Sequence, residues 1–159
     1  MKRGNTMAAT HELSAKSKYF LSKHRGYELR HFCLQYPEWE NKYLLFDNIT
    51  NFTGTSICTD TKIETSNIQN IPEQITLKKN MYLEKMKMVE QAAIAADDVL
   101  YPYILNAVME DLSYTYLDMA MNIPCGREKY YKIQRKFFWE LDKLRNSLIL
   151  FAVGGYSHL

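Results

Sequence analysis

The chain has 159 residues and a net charge of +2 at pH 7, a length that allows one domain, or a small domain with an appendage. Hydrophobic residues make up 47% of the sequence and aromatic residues 13%, which excludes a mostly disordered chain. Four prolines, six glycines and long helix-compatible stretches predict an all-α fold. The near-neutral total also excludes a histone-like polycation, so nucleic-acid binding would require a local basic patch.

The cysteines and the apolar runs point to a cytoplasmic protein. The three cysteines are far apart and form no Cys-x-x-Cys pair, which disfavours a disulfide framework or a zinc site and indicates reduced thiols. The opening residues, MKRGNTMAATHELSAK, lack the apolar region of a secretory signal. No apolar run approaches the roughly 18 residues that a membrane span needs. We therefore expect no metal, no cofactor and no membrane contact.

The N-terminal part predicts a tail and a basic helix. Residues 1–12 are small and polar, which predicts a disordered tail. Residues 13–49 form a region of N-terminal aromatic helices. The first of them is an amphipathic helix from Leu13 that Gly26 would end. Its lysines and arginine are consistent with two interpretations, a basic arm that touches DNA or a solvated helix face.

Aromatic residues then dominate the sequence between Tyr27 and Asn48. Their spacing of three to five residues predicts two helical pieces that Pro37 interrupts. Such an aromatic stripe is typical of a core or a dimer interface. Residues 50–71 are rich in Thr, Ser and Asn without a sustained period, which predicts a polar linker or loop.

Residues 72–159 predict a helical domain that includes the motif described below. A helix starts at Pro72, and Asp97-Asp98 are placed to cap the next one, from Val99 to Glu110. Near the end, residues 147–153 form an apolar tail. Monomers rarely expose such a strip, so it is expected to pack onto the N-terminal helices or to form a dimer contact.

The segment over residues 113–145 reads as a helix-turn-helix. Ser113 is a good N-cap for a short helix that ends near Met121, and Ala120 is small enough for close helix packing. Residues 122–126, Asn-Ile-Pro-Cys-Gly, break the helix: Asn122 is placed to end it, and Ile123 and Cys125 are expected to point into the core between the helices. The second helix is apolar on one side, with residues of this stripe at Tyr130, Ile133, Phe137, Leu141, Leu144 and Leu148.

The second helix also carries the positive charge of the chain. Residues 127–136 contain five basic side chains and one acid, which gives +4, so the rest of the chain sums to −2. Placed in the major groove, this helix would direct its first turns toward bases and phosphates. The predicted DNA-binding residues are Arg127, Glu128, Lys129, Tyr131 and Lys132, then Arg135 and Lys136 nearer the backbone, and Ser113 and Tyr114 of the first helix.

The stretch IPCGREKYYKIQRKFFWELDKL resembles the C-terminal signature of phage late-gene transcriptional regulators of the ArpU/RinA (LtrC-like) family. The resemblance implies a sigma-region-4-like helix-turn-helix and a non-catalytic activator of phage or prophage-island late genes in the bacterial cytoplasm. It also implies an oligomer on double-stranded DNA. We expect this oligomer to be a homodimer, with host RNA polymerase as a further partner. The chain departs from the family at Gly126, where serine is usual.

Two other function classes compete with this one. The aromatic segment 27–46 and the apolar tail favour a phage-encoded module that binds a host or partner protein. A small nuclease is the enzyme alternative, but the acids and histidines form no recognisable catalytic or metal constellation, so we expect no enzyme. The candidate catalytic acids are Asp97, Asp98, Glu110, Asp111 and Asp118, and the candidate bases are His11, His24, His31 and His158.

Overall fold

The structure is a computed structural model that describes residues 17–53 and 71–154, with side chains over residues 17–51 and 72–147. Within these ranges the regular structure is entirely helical, which confirms the all-α prediction. None of the helices described there is long and apolar enough to cross a membrane. The predicted tail (1–12) and most of the predicted linker lie outside the described residues. The helices are α1 (Lys23–Leu34), α2 (Tyr36–Thr53), α3 (Ile71–Ala96), α4 (Tyr101–Glu110), α5 (Tyr114–Met121) and α6 (Arg127–Gly154).

Helix α1 begins later than predicted and passes through Gly26. The Ser22 side chain accepts a hydrogen bond from the Arg25 amide at 3.3 Å, which is the N-cap arrangement that starts a helix. Residues 17–22 are not helical. The predicted helix that Gly26 ends is therefore wrong. A glycine in this position lowers helix stability by about 1 kcal/mol but does not by itself end a helix.

The break between α1 and α2 lies where Pro37 predicts it. The Gln35 amide donates to the Phe32 carbonyl at 3.2 Å as α1 ends, and the Trp39 amide donates to the Gln35 carbonyl at 3.1 Å as α2 begins. Pro37 lies in the first turn of α2, where its missing N–H removes no bond that the helix needs. Helix α2 continues to Thr53, so it extends past residue 50, where the linker was predicted to start.

Helix α3 is central to the fold, since it packs against α2, α4 and α6. Helix α2 runs antiparallel to it. The Tyr36 hydroxyl donates to the Glu90 carboxylate at 2.5 Å, while Lys79 pairs with Asp47 closer to the opposite end. Three alanines, at positions 92, 93 and 96, are buried on α3. Their small side chains let the neighbouring helices approach closely.

One hydrophobic core joins the N-terminal helices to the rest of the described chain. Leu29 and Cys33 of α1 and Trp39 of α2 are buried in the same cluster as residues of α3 to α6. Burial raises the pKa of the Cys33 thiol to about 12, so it stays protonated and packs as a small apolar group. The predicted stripe of α6 supplies buried Tyr130, Ile133, Phe137 and Leu141.

Polar contacts on the surface hold α1 against α6. Arg25 pairs with Asp142 and also donates to the Asn146 side-chain oxygen at 3.0 Å. Arg145 pairs with Glu28 at 2.9 Å. These groups are partly exposed, so each ion pair adds at most about 1 kcal/mol. Together they fix the position of α1 along the second half of α6.

Candidate nucleic-acid interface

Helix α5, a five-residue connection and helix α6 form the candidate interface. The Ser113 side chain accepts from the Tyr116 amide at 3.3 Å, so α5 begins at the predicted N-cap. Asn122 ends α5 in the left-handed region, with φ 49°, a conformation that asparagine tolerates better than most residues. The Tyr130 amide donates to the Gly126 carbonyl at 3.0 Å as α6 begins. A short helix, a turn and a long helix therefore follow one another as predicted, and DNA binding by this unit stays a prediction.

Tyr114 holds the turn against the start of α6. Its hydroxyl donates to the Cys125 carbonyl at 2.7 Å, and its ring lies 5.5 Å from the Tyr130 ring and 6.5 Å from the Tyr131 ring, centroid to centroid. Such tilted aromatic contacts are favourable beyond the area they bury. Tyr114 was predicted to contact DNA, but in the structure its hydroxyl donates within the protein. Its role here is to fix the direction in which α6 leaves the turn.

Arg127 is exposed and also contacts α5. Its guanidinium donates to the Thr115 hydroxyl at 3.1 Å and lies over the Tyr114 ring, 5.6 Å from its centroid. The side chain is nevertheless exposed. A guanidinium has five N–H donors, so this contact leaves donors for a phosphate or a base edge. Arg127 is thus preoriented by α5.

The first turns of α6 carry an excess of positive charge at their surface. Lys129 and Lys132 are exposed and Arg135 is half-buried. Like Arg127, they have no carboxylate within 4.0 Å among the described side chains. Glu128, exposed in the same turn, reduces the four charges to +3. Elsewhere in the described chain, six cations are ion-paired, namely Arg25, Arg30, Lys42, Lys79, Lys143 and Arg145, and five lysines have no carboxylate within 4.0 Å, namely Lys18, Lys23, Lys78, Lys85 and Lys87.

Lys136 contacts the end of another helix. Its ammonium group donates to the carbonyl of Ala96, the last residue of α3, at 2.8 Å, and the side chain is half-buried. The last carbonyls of a helix lack intrahelical partners and carry partial negative charge, so a lysine there is stabilising. Lys136 therefore ties α6 to α3, a role that its place in the basic run did not predict.

Replacing Lys136 by methionine should lower the free energy of unfolding by about 1 kcal/mol, since the Ala96 carbonyl loses its charged donor. Methionine keeps most of the apolar stem of lysine, so packing should change little. Lys132→Met is the matched control, because Lys132 is exposed on the same helix. Urea denaturation of both variants measures the difference. Equal stability of the two would contradict the capping role.

Side-chain burial at the turn confirms the predictions for Ile123 and Cys125 and contradicts the one for Ala120. Ile123 is buried and Cys125 half-buried, as predicted. Ala120, expected to permit close packing, is exposed, because α5 turns Leu117 and half-buried Met121 inward instead. At Gly126, an added Cβ would meet no atom within 4 Å. The serine of the family pattern would therefore fit without a change of fold.

Two of the five acidic candidates, Asp97 and Asp111, make structural contacts through their side chains. Asp97 accepts hydrogen bonds from the Val99 amide at 3.0 Å and the Leu100 amide at 2.8 Å, so it shapes the turn before α4, which begins at Tyr101 and not at the predicted Val99. Asp111 pairs with Arg30 of α1 at 2.7 Å. Over the described residues, no group of three or more His, Cys, Asp or Glu side chains is placed to hold a metal ion.

The nine predicted site residues thus fall into two sets. Lys129, Lys132 and Arg135, with Glu128 and Tyr131, lie on one part of α6, and Arg127 adjoins them. The other three, Ser113, Tyr114 and Lys136, cap or connect helices. Comparisons of the chain with protein-family models, with curated proteins and with solved structures found no match.

Proposed function

We propose that the protein is a sequence-specific transcription regulator that binds double-stranded DNA with the first half of α6 in the major groove. The observation that carries the proposal is the set of cations without carboxylate partners at the start of α6, held by a turn that Tyr114 fixes. Exposed cations that acids of the same protein do not neutralise are the ones best suited to bind phosphates. Base readout requires that the helix carrying them be held in one direction.

The dimensions of α6 are suited to this role. Residues 127–136 cover about 15 Å of helix, at 1.5 Å per residue, and the major groove is about 12 Å wide. Exposed Lys129 and Lys132 would meet phosphates or guanine edges, and preoriented Arg127 could make a bidentate base contact. The likeness of this stretch to ArpU/RinA regulators supports the same assignment, including activation of late genes through host RNA polymerase in a bacterial cytoplasm.

A homodimer is part of the proposal. Leu44, Leu45 and Leu77, on α2 and α3, are each more than half exposed, so they offer apolar surface that a second protomer would cover. Most described aromatic residues of segment 27–46 pack on or in the core, so these leucines replace them as the candidate contact. The side chains of the apolar tail beyond residue 147 lie outside the described residues. A dimer would place two α6 helices on half-sites one helical turn apart.

The direct test is binding of the purified protein to labelled duplex DNA across a series of salt concentrations. Four phosphate contacts per protomer, from Arg127, Lys129, Lys132 and Arg135, contribute about −3.6 to the slope of log affinity against log salt, at about −0.9 per contact, and the two protomers of a dimer contribute about −7.2. Selection of bound sequences from a random duplex pool should then yield an enriched site. A salt-independent affinity, or no enrichment, would contradict sequence-specific DNA binding.

A protein-binding module is the second candidate, and one surface favours it. On α5, Tyr116 is 53% exposed and Met119 83% exposed, three residues apart on the outward side. Aromatic and methionine side chains are enriched in protein interfaces. If the chain binds no duplex, this face of α5 becomes the principal candidate contact.

A further inference from the structure

We infer that the DNA interface continues beyond the first turns of α6, to a second basic site where Lys18 and Lys143 contact phosphates flanking the groove. The inference rests on the proposed function and extends it to residues outside the basic run. It starts from the non-helical residues 17–22, which lie beside the middle of α6 instead of extending α1.

An aromatic pair holds this segment in place. The Tyr19 ring meets the Trp139 ring edge to face, with centroids 5.5 Å apart. A lysine flanks each ring. The Lys143 ammonium lies 4.2 Å from the Trp139 centroid, and the Lys18 ammonium lies 5.7 Å from the Tyr19 centroid. Cation–π contacts orient a lysine without neutralising it, so both ammonium groups keep their charge for an external anion.

This second site lies on the same side of α6 as the proposed groove contacts. Lys132, Arg135, Trp139 and Lys143 follow one another at spacings of three, four and four residues, which places them on one face of a helix. From Arg127 to Lys143 the helix advances about 24 Å, roughly twice the width of the major groove. We therefore place Trp139 and its two lysines over the phosphates that border the groove when the helix is inserted by its first turns.

The local charges are compatible with a phosphate. Lys18 is exposed and has no carboxylate within 4.0 Å among the described side chains. Lys143 pairs with Glu140 at 2.9 Å, and 54% of the lysine side chain but only 18% of the glutamate side chain is exposed. An ammonium group has three N–H donors, so Lys143 can keep this pair and donate to a phosphate on its exposed side. Lysine suits this role, since it binds phosphate as a point charge and needs no fixed direction.

The test compares duplexes of two lengths, using the full chain. One duplex carries the enriched site with flanks on both sides, and the other is trimmed by about five base pairs per side. On the long duplex, Lys18→Ala with Lys143→Ala should make the salt slope about 1.8 units shallower and weaken binding about 30-fold for each bound protomer at about 0.15 M salt. On the trimmed duplex, wild type and variant should bind equally.

A matched control is Lys78→Ala with Lys87→Ala, two exposed lysines of α3 that remove the same charge. The control should leave the affinity for both duplexes near that of the wild type. Suppose that the wild type binds both duplexes and that the Lys18 and Lys143 variant binds them with unchanged affinity. This result would overturn the second site and leave the proposed function standing. An equal loss on both lengths would also overturn it, because the contact would then not lie in the flanks. Absence of wild-type binding to either duplex would overturn both.

Discussion

Replacing Lys129 and Lys132 together by alanine should weaken binding to duplex DNA about 30-fold per bound protomer at about 0.15 M salt, if each lysine contacts one phosphate. The loss should grow to about 200-fold near 0.05 M and shrink to about threefold near 0.5 M. The reason is that each lysine contributes through counterion release, which favours binding less as the salt concentration rises. Both side chains are exposed and have no carboxylate partner among the described residues. The melting temperature and the helical circular dichroism should therefore stay close to the wild-type values.

Fluorescence anisotropy with a labelled duplex at each salt concentration measures this dependence. The Lys78→Ala and Lys87→Ala variant again serves as the control, since it changes the net charge equally on exposed positions of α3. If both double variants lose affinity to the same extent, the binding is a response to total charge, and the groove-facing assignment of α6 is wrong. Unchanged affinity of the Lys129 and Lys132 variant would exclude these two contacts directly.

Arg127 is a poorer choice for this test than its sequence position suggests. Its guanidinium donates to Thr115 and lies over Tyr114, so an alanine there removes a contact between α5 and α6 as well as a charge. A loss of affinity could then arise from a shifted helix. Lys129 and Lys132 separate the two causes, because they have no ion pair among the described side chains that their replacement would break.

The sequence predicted the fold where local signals are strong. Ser113, Asn122 and Pro37 mark helix starts and ends through chemistry that acts within a few residues, and each lies at a boundary in the structure. The predicted helix end at Gly26 was wrong because a glycine is compatible with both a helix end and a helix interior. The N-cap at Ser22 is the competing signal, and it decided where α1 begins.

The candidate site was predictable in its charge and not in its contacts. The basic run of α6 is visible in the sequence, and its exposed members lie together because helical spacing alone places them there. The bond from Lys136 to Ala96 spans 40 residues, and the Tyr19 and Trp139 contact spans 120. Pairs so distant depend on how α1, α3 and α6 pack, which no periodicity in one sequence specifies. Ala120 failed for the same reason, since the alanines that permit close packing lie on α3.

Phe137→Ala should produce the largest loss of stability, about 3–5 kcal/mol in the free energy of unfolding. The side chain is fully buried and packs edge to face against Phe138 with ring centroids 5.0 Å apart. Its removal leaves a cavity where α6 meets the core, and the neighbouring side chains can close only part of it. Urea denaturation followed by far-ultraviolet circular dichroism measures the shift in midpoint.

The neighbouring residue provides the control, because Phe138→Ala deletes the same atoms from a half-buried position. It should cost less, about 1–2 kcal/mol. A Phe138 variant as unstable as the Phe137 variant would mean that α6 is rotated relative to the described packing, and its exposed cations would then face elsewhere. If α6 is oriented as in the structure, its core-facing residues and its proposed DNA-facing residues lie on opposite sides of the helix. The Phe137 variant should then keep the wild-type salt slope at temperatures where it is folded. Stability and DNA affinity would then respond to separate sets of α6 residues.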